Sequence, residues 1–216
     1  YYEKGKPFTV GNFTITAYWA DHSAFDSYSF LVEAEGKRIF YSGDFRSHGR
    51  KARAYKWFLH NAPKNIDYLL IEGTTLGRKK GNPKTEDNIS EELSKLFKNS
   101  ASINYIYTAS QNIDRLVSVY RACLNSQKTF VVDIYTANVL ETLSGFARLP
   151  SPLKGFPNLK VLFPHHLTKC LFNRGYGKMV NKFSKHKISK NEISENPSNH
   201  VMLVRPSMKN DLEIIN

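Results

Sequence analysis

An α/β fold in two parts is what the sequence predicts, and three observations predict it. Residues 1–77 are dominated by short apolar runs of strand length. From Thr85 the apolar spacing switches to the 3.6-residue helical period. Strand-like and helix-like segments then alternate to the end of the chain, the rhythm of a parallel α/β sheet.

Taken in order, "FTVGNFTITAYWA" (residues 8–20) sets Phe13, Ile15, Ala17 and Trp19 against smaller or polar neighbours and reads as one half-buried strand. A polar loop, "DHSAFDS", follows. "YSFLVEAEGKRIFYSGD" then predicts a hairpin, two apolar runs joined by a turn at Glu35-Gly36. A helical patch covers Ala54 to His60, and "IDYLLIEG" reads as another buried strand.

"LGRKKGNPKTEDN" is rich in Gly, Pro and Lys and reads as a connector. Past it, Ile89, Leu93, Leu96 and Phe97 share a helix face, with Glu86 and Asp87 in the first turn where the helix dipole favours acids. The strand "INYIYTAS" precedes a helix, "QNIDRLVSVYRACL", with Ile113, Leu116, Val117, Tyr120 and Leu124 inward. The strand "TFVVDI" precedes another, "TANVLETLSGF", with Thr136 as its expected N-cap. "LKVLFP" and "VMLVRP" complete the set of strands. Between them, residues 168–199 are rich in Lys, Asn and Ser, which reads first as a solvated helix and loop and second as a basic surface for a nucleic-acid backbone.

The 216 residues carry 31 Lys or Arg against 19 Asp or Glu, a net charge of +12 that favours polyanionic partners, nucleic acid first. No apolar run approaches the ~20 residues a membrane span needs, so no membrane partner is expected. The amino-terminal residues show no signal-peptide pattern, and Cys123 and Cys170 form neither a metal-type spacing nor a disulfide framework; a cytoplasmic protein is expected.

Two loops carry the chemistry. His22 lies in the loop after one strand and Asp44 ends another, reached through the hairpin, so a sheet can bring both to one edge. A neutral imidazole and a carboxylate suit zinc or manganese, and Gly43 lets other groups pack close behind the acid. On residue types alone, one His and one Asp are more often a hydrogen-bonded structural pair than metal ligands, and no motif spaced like H-x-E-x-x-H or C-x-x-C supplies the remaining donors. Together, "DHSAFDSYSFLVEAEGKRIFYSGDFRSHGRK", "IDYLLIEGTTLGR" and "SQNIDRLVSVYRACLNSQKTFVVDIYTANVL" resemble the metallo-β-lactamase-fold hydrolases, and within them the β-CASP branch of nucleic-acid processors that includes ribonuclease J. The resemblance runs from about Phe13 to about Glu213.

It implies a partial metallo-β-lactamase lobe at 1–77 and most of a β-CASP-type parallel α/β inserted domain at 78–216. It further implies a site with two divalent metals, zinc or else manganese, acting on the phosphodiesters of RNA or another single-stranded nucleic acid. His22 would bind one metal, Asp44 would bridge two, and Glu72 would orient a ligand histidine from behind. Arg46, His48, Arg50 and Lys51 would meet phosphate oxygens, with surface ion pairing as the competing explanation.

The chain departs from the family at both ends of the site. No H-x-H-x-D-H motif precedes His22, and the histidines that close the family's site further downstream have no counterpart; His165, His166, His186 and His200 do not match them. Two ligands cannot hold two metals, so the chain by itself is expected to be a silent, central part of a longer hydrolase. The competing expectation is a non-catalytic nucleic-acid-binding or scaffold subunit. A homo-oligomer is compatible with either.

Overall fold

The computed structural model describes residues 3, 5–77 and 81–215 and shows a mixed α/β protein. The chain divides into two compact units, Tyr1–Glu86 and Asp87–Asn216. The division lies beyond the expected 77/78 because the end of the connector is held to the first unit. There the Glu86 amide donates to the His48 carbonyl (3.3 Å), and the buried Glu86 carboxylate lies 3.5 Å from the Arg46 guanidinium.

The first unit is built on a five-stranded sheet of order β1-β2-β3-β4-β5, comprising β1 (Pro7–Val10), β2 (Phe13–Trp19), β3 (Tyr28–Ala34), β4 (Lys37–Tyr41) and β5 (Tyr68–Leu70). Residues 8–20 are thus a hairpin and not the single strand their alternation suggests. Val10 pairs with Phe13 across Gly11-Asn12, where Gly11 takes φ +56°. The Glu35-Gly36 turn forms as expected, both residues at positive φ, the requirement of a two-residue hairpin loop.

Helix α1 (Ala52–Asn61) makes the crossover that lets β5 lie parallel to β4, and Phe58 stacks on Phe40 of β4 at 5.3 Å between ring centroids. Only part of this sheet is covered. Ala17, Leu31 and Phe40 are buried, but Phe13 is 52% exposed and Leu69 of β5 is 61% exposed. β5 is therefore an exposed edge strand, not the buried one its "YLL" composition suggests: among the described residues it pairs on one side only, and all three of its side chains are exposed.

The second unit carries an all-parallel sheet of order β6-β10-β7-β8-β9, formed by β6 (Asn104–Ile106), β7 (Thr129–Asp133), β8 (Leu159–Leu162), β9 (Lys187–Ile188) and β10 (His200–Leu203). Its helices are α2 (Glu86–Asn99), α3 (Ile113–Asn125), α4 (Ile134–Leu143), α5 (His165–Asn173), α6 (Gly177–Lys182), α7 (Lys190–Glu195) and α8 (Lys209–Ile215). Val131, Leu162, Ile188 and Met202 join Ile193 of α7 and Ile215 of α8 in one buried cluster. Strand alternation sends Phe130, Val132, Val161 and Leu203 to the opposite face, and all four are buried. Each such apolar side chain removed from water contributes ~1.5–3 kcal/mol before entropy is counted.

Three local readings change. On α2 the buried positions are Glu86, Ser90, Ser94 and Phe97, whereas Ile89 and Leu93 are half-buried and Leu96 is 55% exposed; the helix face is rotated by about one residue from the expected one. The N-cap of α4 is Asp133, whose Oδ1 accepts from the Thr136 amide at 2.7 Å, so Thr136 sits one turn inside. Finally, residues 168–199 are not merely solvated. They contain parts or all of α5, α6, β9 and α7, and they bury Val180, Phe183, Ile188 and Ile193. Among the described residues no helix is long and apolar enough to cross a membrane.

Candidate metal and phosphate site

The loop after β2 and the loop after β4 meet at the carboxyl-proximal edge of the first sheet. A residue with no assigned role in the sequence reading, Asp21, ties them. Its side chain is fully buried and accepts from the amides of Gly49 (2.8 Å) and Lys51 (3.1 Å), while its carbonyl accepts from the Arg46 amide at 2.7 Å. A carboxylate with several amide donors anchors a loop strongly, because charge-assisted hydrogen bonds exceed neutral ones. Adjacency to His22 in "ADHS" is the only trace of this in the sequence.

The clamp brings His22 and Asp44 together. His22 Nε2 lies 3.9 Å from Asp44 Oδ2, and His22 Nδ1 lies 3.4 Å from Ser27 Oγ. The first distance is too long for a hydrogen bond. Gly43 sets the approach: it holds φ +57°, and a Cβ there would meet the Tyr28 carbonyl oxygen at 3.0 Å. The next residue is therefore turned outward, and Asp44 is the exposed member of the pair.

Glu72 follows β5 and serves the same loop from the other side. Its Oε2 accepts from the Phe45 amide at 2.9 Å, its Oε1 accepts from the Thr74 hydroxyl, and its own amide donates to Ser42 Oγ at 2.9 Å. Ser42 in turn donates its amide to the Leu70 carbonyl. Glu72 thus fixes the backbone directly after Asp44.

The cationic neighbours divide by role. Lys51 turns its ammonium into a cradle of three carbonyls, those of His22 (2.9 Å), Ala24 (2.7 Å) and Phe25 (3.1 Å), so its charge holds the His22 loop in shape. Arg46 is largely buried against Glu86. Both side chains are therefore committed to the protein's own structure. His48 and Arg50 are half-buried on the same loop.

Whether a metal fits can be tested on the donors. A cation bonded at ~2.0–2.2 Å to both an imidazole nitrogen and a carboxylate oxygen in tetrahedral geometry sets the two atoms ~3.4 Å apart, so His22 and Asp44, at 3.9 Å, would close by about half an ångström to share one. Three or four protein donors are needed for a zinc site, and among the described residues no group of three His, Cys, Asp or Glu side chains is placed to hold a metal. The pair is a partial donor set, and no catalytic step can be derived from it.

Comparison with protein-family models finds no match, and neither does comparison with curated proteins. Among solved structures, the chain is similar to a crystal structure of a protein of unknown function from Enterococcus faecalis V583, with a TM-score of 0.72 at 17% identity over 97% of the chain. The likeness is one of fold. The chain spans 45% of the length of that protein.

Proposed function

We propose that the chain is part of a metal-dependent phosphodiester hydrolase of the ribonuclease J-like kind, to which it contributes two metal donors, His22 and Asp44. The observation that carries this reading is the 3.9 Å approach of those two side chains, from loops that Asp21 and Glu72 hold in place. RNA is the expected substrate, since the chain is strongly basic, and zinc or manganese the expected metal. The free thiols of Cys123 and Cys170 accord with a reducing, cytoplasmic setting.

By this reading the chain alone binds zinc weakly and turns over no substrate. Zinc titration of metal-free protein should give a dissociation constant in the micromolar range or weaker, raised at least about tenfold by His22→Ala or Asp44→Ala. Zinc binding indifferent to both substitutions would refute it. Metal-dependent cleavage of single-stranded RNA by the purified chain, abolished in Asp44→Ala, would show that the chain needs no further donors.

A second reading, a non-catalytic nucleic-acid-binding subunit, draws support from the commitment of Arg46 and Lys51 to internal contacts and from the two-donor limit among the described residues. An H-x-H-x-D-H motif encoded upstream of Tyr1 would exclude it.

A further inference from the structure

The charge of the chain is not evenly spread. Between Glu141 and Glu192 the sequence has no acidic residue and ten Lys or Arg. The fold gathers part of this stretch at the carboxyl ends of β8 and β9, where an open cavity of about 350 Å³ lies between α5 and the start of α7. The volume falls in the ~300–1,000 Å³ range of small-molecule sites.

The lining is chemically specific. Lys169, Lys187 and Lys190 line the cavity, with His165 beside them. Lys190 is neutralised, its ammonium 2.5 Å from the buried Asp211 carboxylate, which also accepts from the His165 amide at 3.2 Å. Lys169 and Lys187 have no carboxylate partner among the described residues, and Lys187 sits 5.3 Å from the centroid of the Phe163 ring. Phe163 and Phe172 form the apolar part of the wall, and Phe172 is 48% exposed. The remaining member is Thr168. Its hydroxyl is buried yet has no hydrogen-bond partner among the described residues.

We propose that this cavity binds a nucleotide, its phosphate between Lys169 and Lys187 and its base against Phe172. Two unpaired ammonium groups select an anion; aromatic surface beside them selects an anion that carries a flat ring. The site belongs to the second unit and is independent of the His22–Asp44 reading. A free nucleoside monophosphate and a nucleotide within a single RNA strand share this chemistry.

The experiment is calorimetric titration of metal-free full chain at low salt with adenosine monophosphate, inorganic phosphate and adenosine. Saturable binding is expected, tightest for adenosine monophosphate. The double variant Lys169→Ala/Lys187→Ala should weaken both phosphate-bearing probes at least about tenfold. Phe172→Ala should weaken adenosine monophosphate while leaving inorganic phosphate unchanged, a split that general loss of structure would not give. Thermal unfolding of each variant checks that it is folded. Absence of saturable adenosine monophosphate binding overturns the proposal, as does equal affinity in the wild type and a folded double variant. Competition between adenosine monophosphate and a labelled single-stranded oligoribonucleotide places the site on a strand path; binding without competition assigns it to free nucleotides, and either supports the site. Since no metal is added, failure here leaves the metal-donor reading standing.

Discussion

Gly43 does work that no other residue could do at its position. Its positive φ costs an L-residue ~1 kcal/mol, and the Tyr28 carbonyl leaves a Cβ only 3.0 Å. Gly43→Ala should therefore lower unfolding free energy by about 1–3 kcal/mol, and by turning Asp44 away from His22 it should weaken zinc binding as well. Thermal unfolding and zinc titration of one variant check both. Asp21 is the second such residue. Asp21→Ala leaves the part-buried amides of Gly49 and Lys51 without their acceptor, and a loss of about 1–3 kcal/mol is expected in chemical denaturation. Neither effect can be read from residue type. The sequence marks His22 and Asp44 through their loops, whereas the weight of Asp21 comes from its complete burial, which depends on how two distant loops close. Cys123 makes a third case. Burial pushes its thiol pKa up, so the reactive thiolate is scarce at neutral pH. Cys170 is only half-buried. A thiol reagent should modify one cysteine per native chain at pH 8 and reach the second only on unfolding.

At the scale of elements, what could be read depended on length and on how local the deciding contact is. Helix α3 is legible as a helix because of its length and because Asn112 caps it, its side chain accepting from the Arg115 amide, although its buried face takes in Val119, Ala122 and Cys123 and leaves the expected Val117 and Leu124 half-buried. β9 is not, since two residues paired to β8 leave no alternation to see. The β1–β2 hairpin was concealed by an apolar alternation that continues through Gly11-Asn12, and the exposure of β5 by an apolar composition that elsewhere means burial. Cap position on α4 went to Asp133 because the last strand residue can already point at the helix amides. That residue also accepts from Arg205 Nε at 3.3 Å, and Arg205 further donates to the Thr108 carbonyl and to the Ser110 hydroxyl. One carboxylate thereby joins the ends of β7 and β10 to the start of α4. Asp133→Asn keeps an oxygen for the cap but removes the charge facing Arg205, whereas Asp133→Ala removes both. The expected losses are about 1–2 and 2–4 kcal/mol respectively, ordered as stated in denaturant titrations.

For the whole molecule the two units differ in how their sheets are satisfied. In Asp87–Asn216 the central strands β7 and β10 are buried along nearly their whole length, with apolar side chains on both faces. In Tyr1–Glu86 the sheet keeps Phe13, Tyr41, Tyr68, Leu69 and Ile71 each more than half exposed, and apolar area left in water contributes nothing to folding. The same contrast bears on function: the His22–Asp44 pair stands on the less satisfied sheet, while the basic cavity stands on the better satisfied one. A polypeptide of residues 87–216 should consequently fold alone, with cooperative urea unfolding and a fixed aromatic circular-dichroism signal, and it should keep the nucleotide binding inferred for the α5–α7 cavity. Residues 1–86 alone should unfold at lower urea, since less apolar surface leaves water when they fold. If residues 87–216 prove unfolded in isolation, burial on both faces of β7 and β10 does not suffice to stabilise them, and this contrast between the sheets fails as an account of stability.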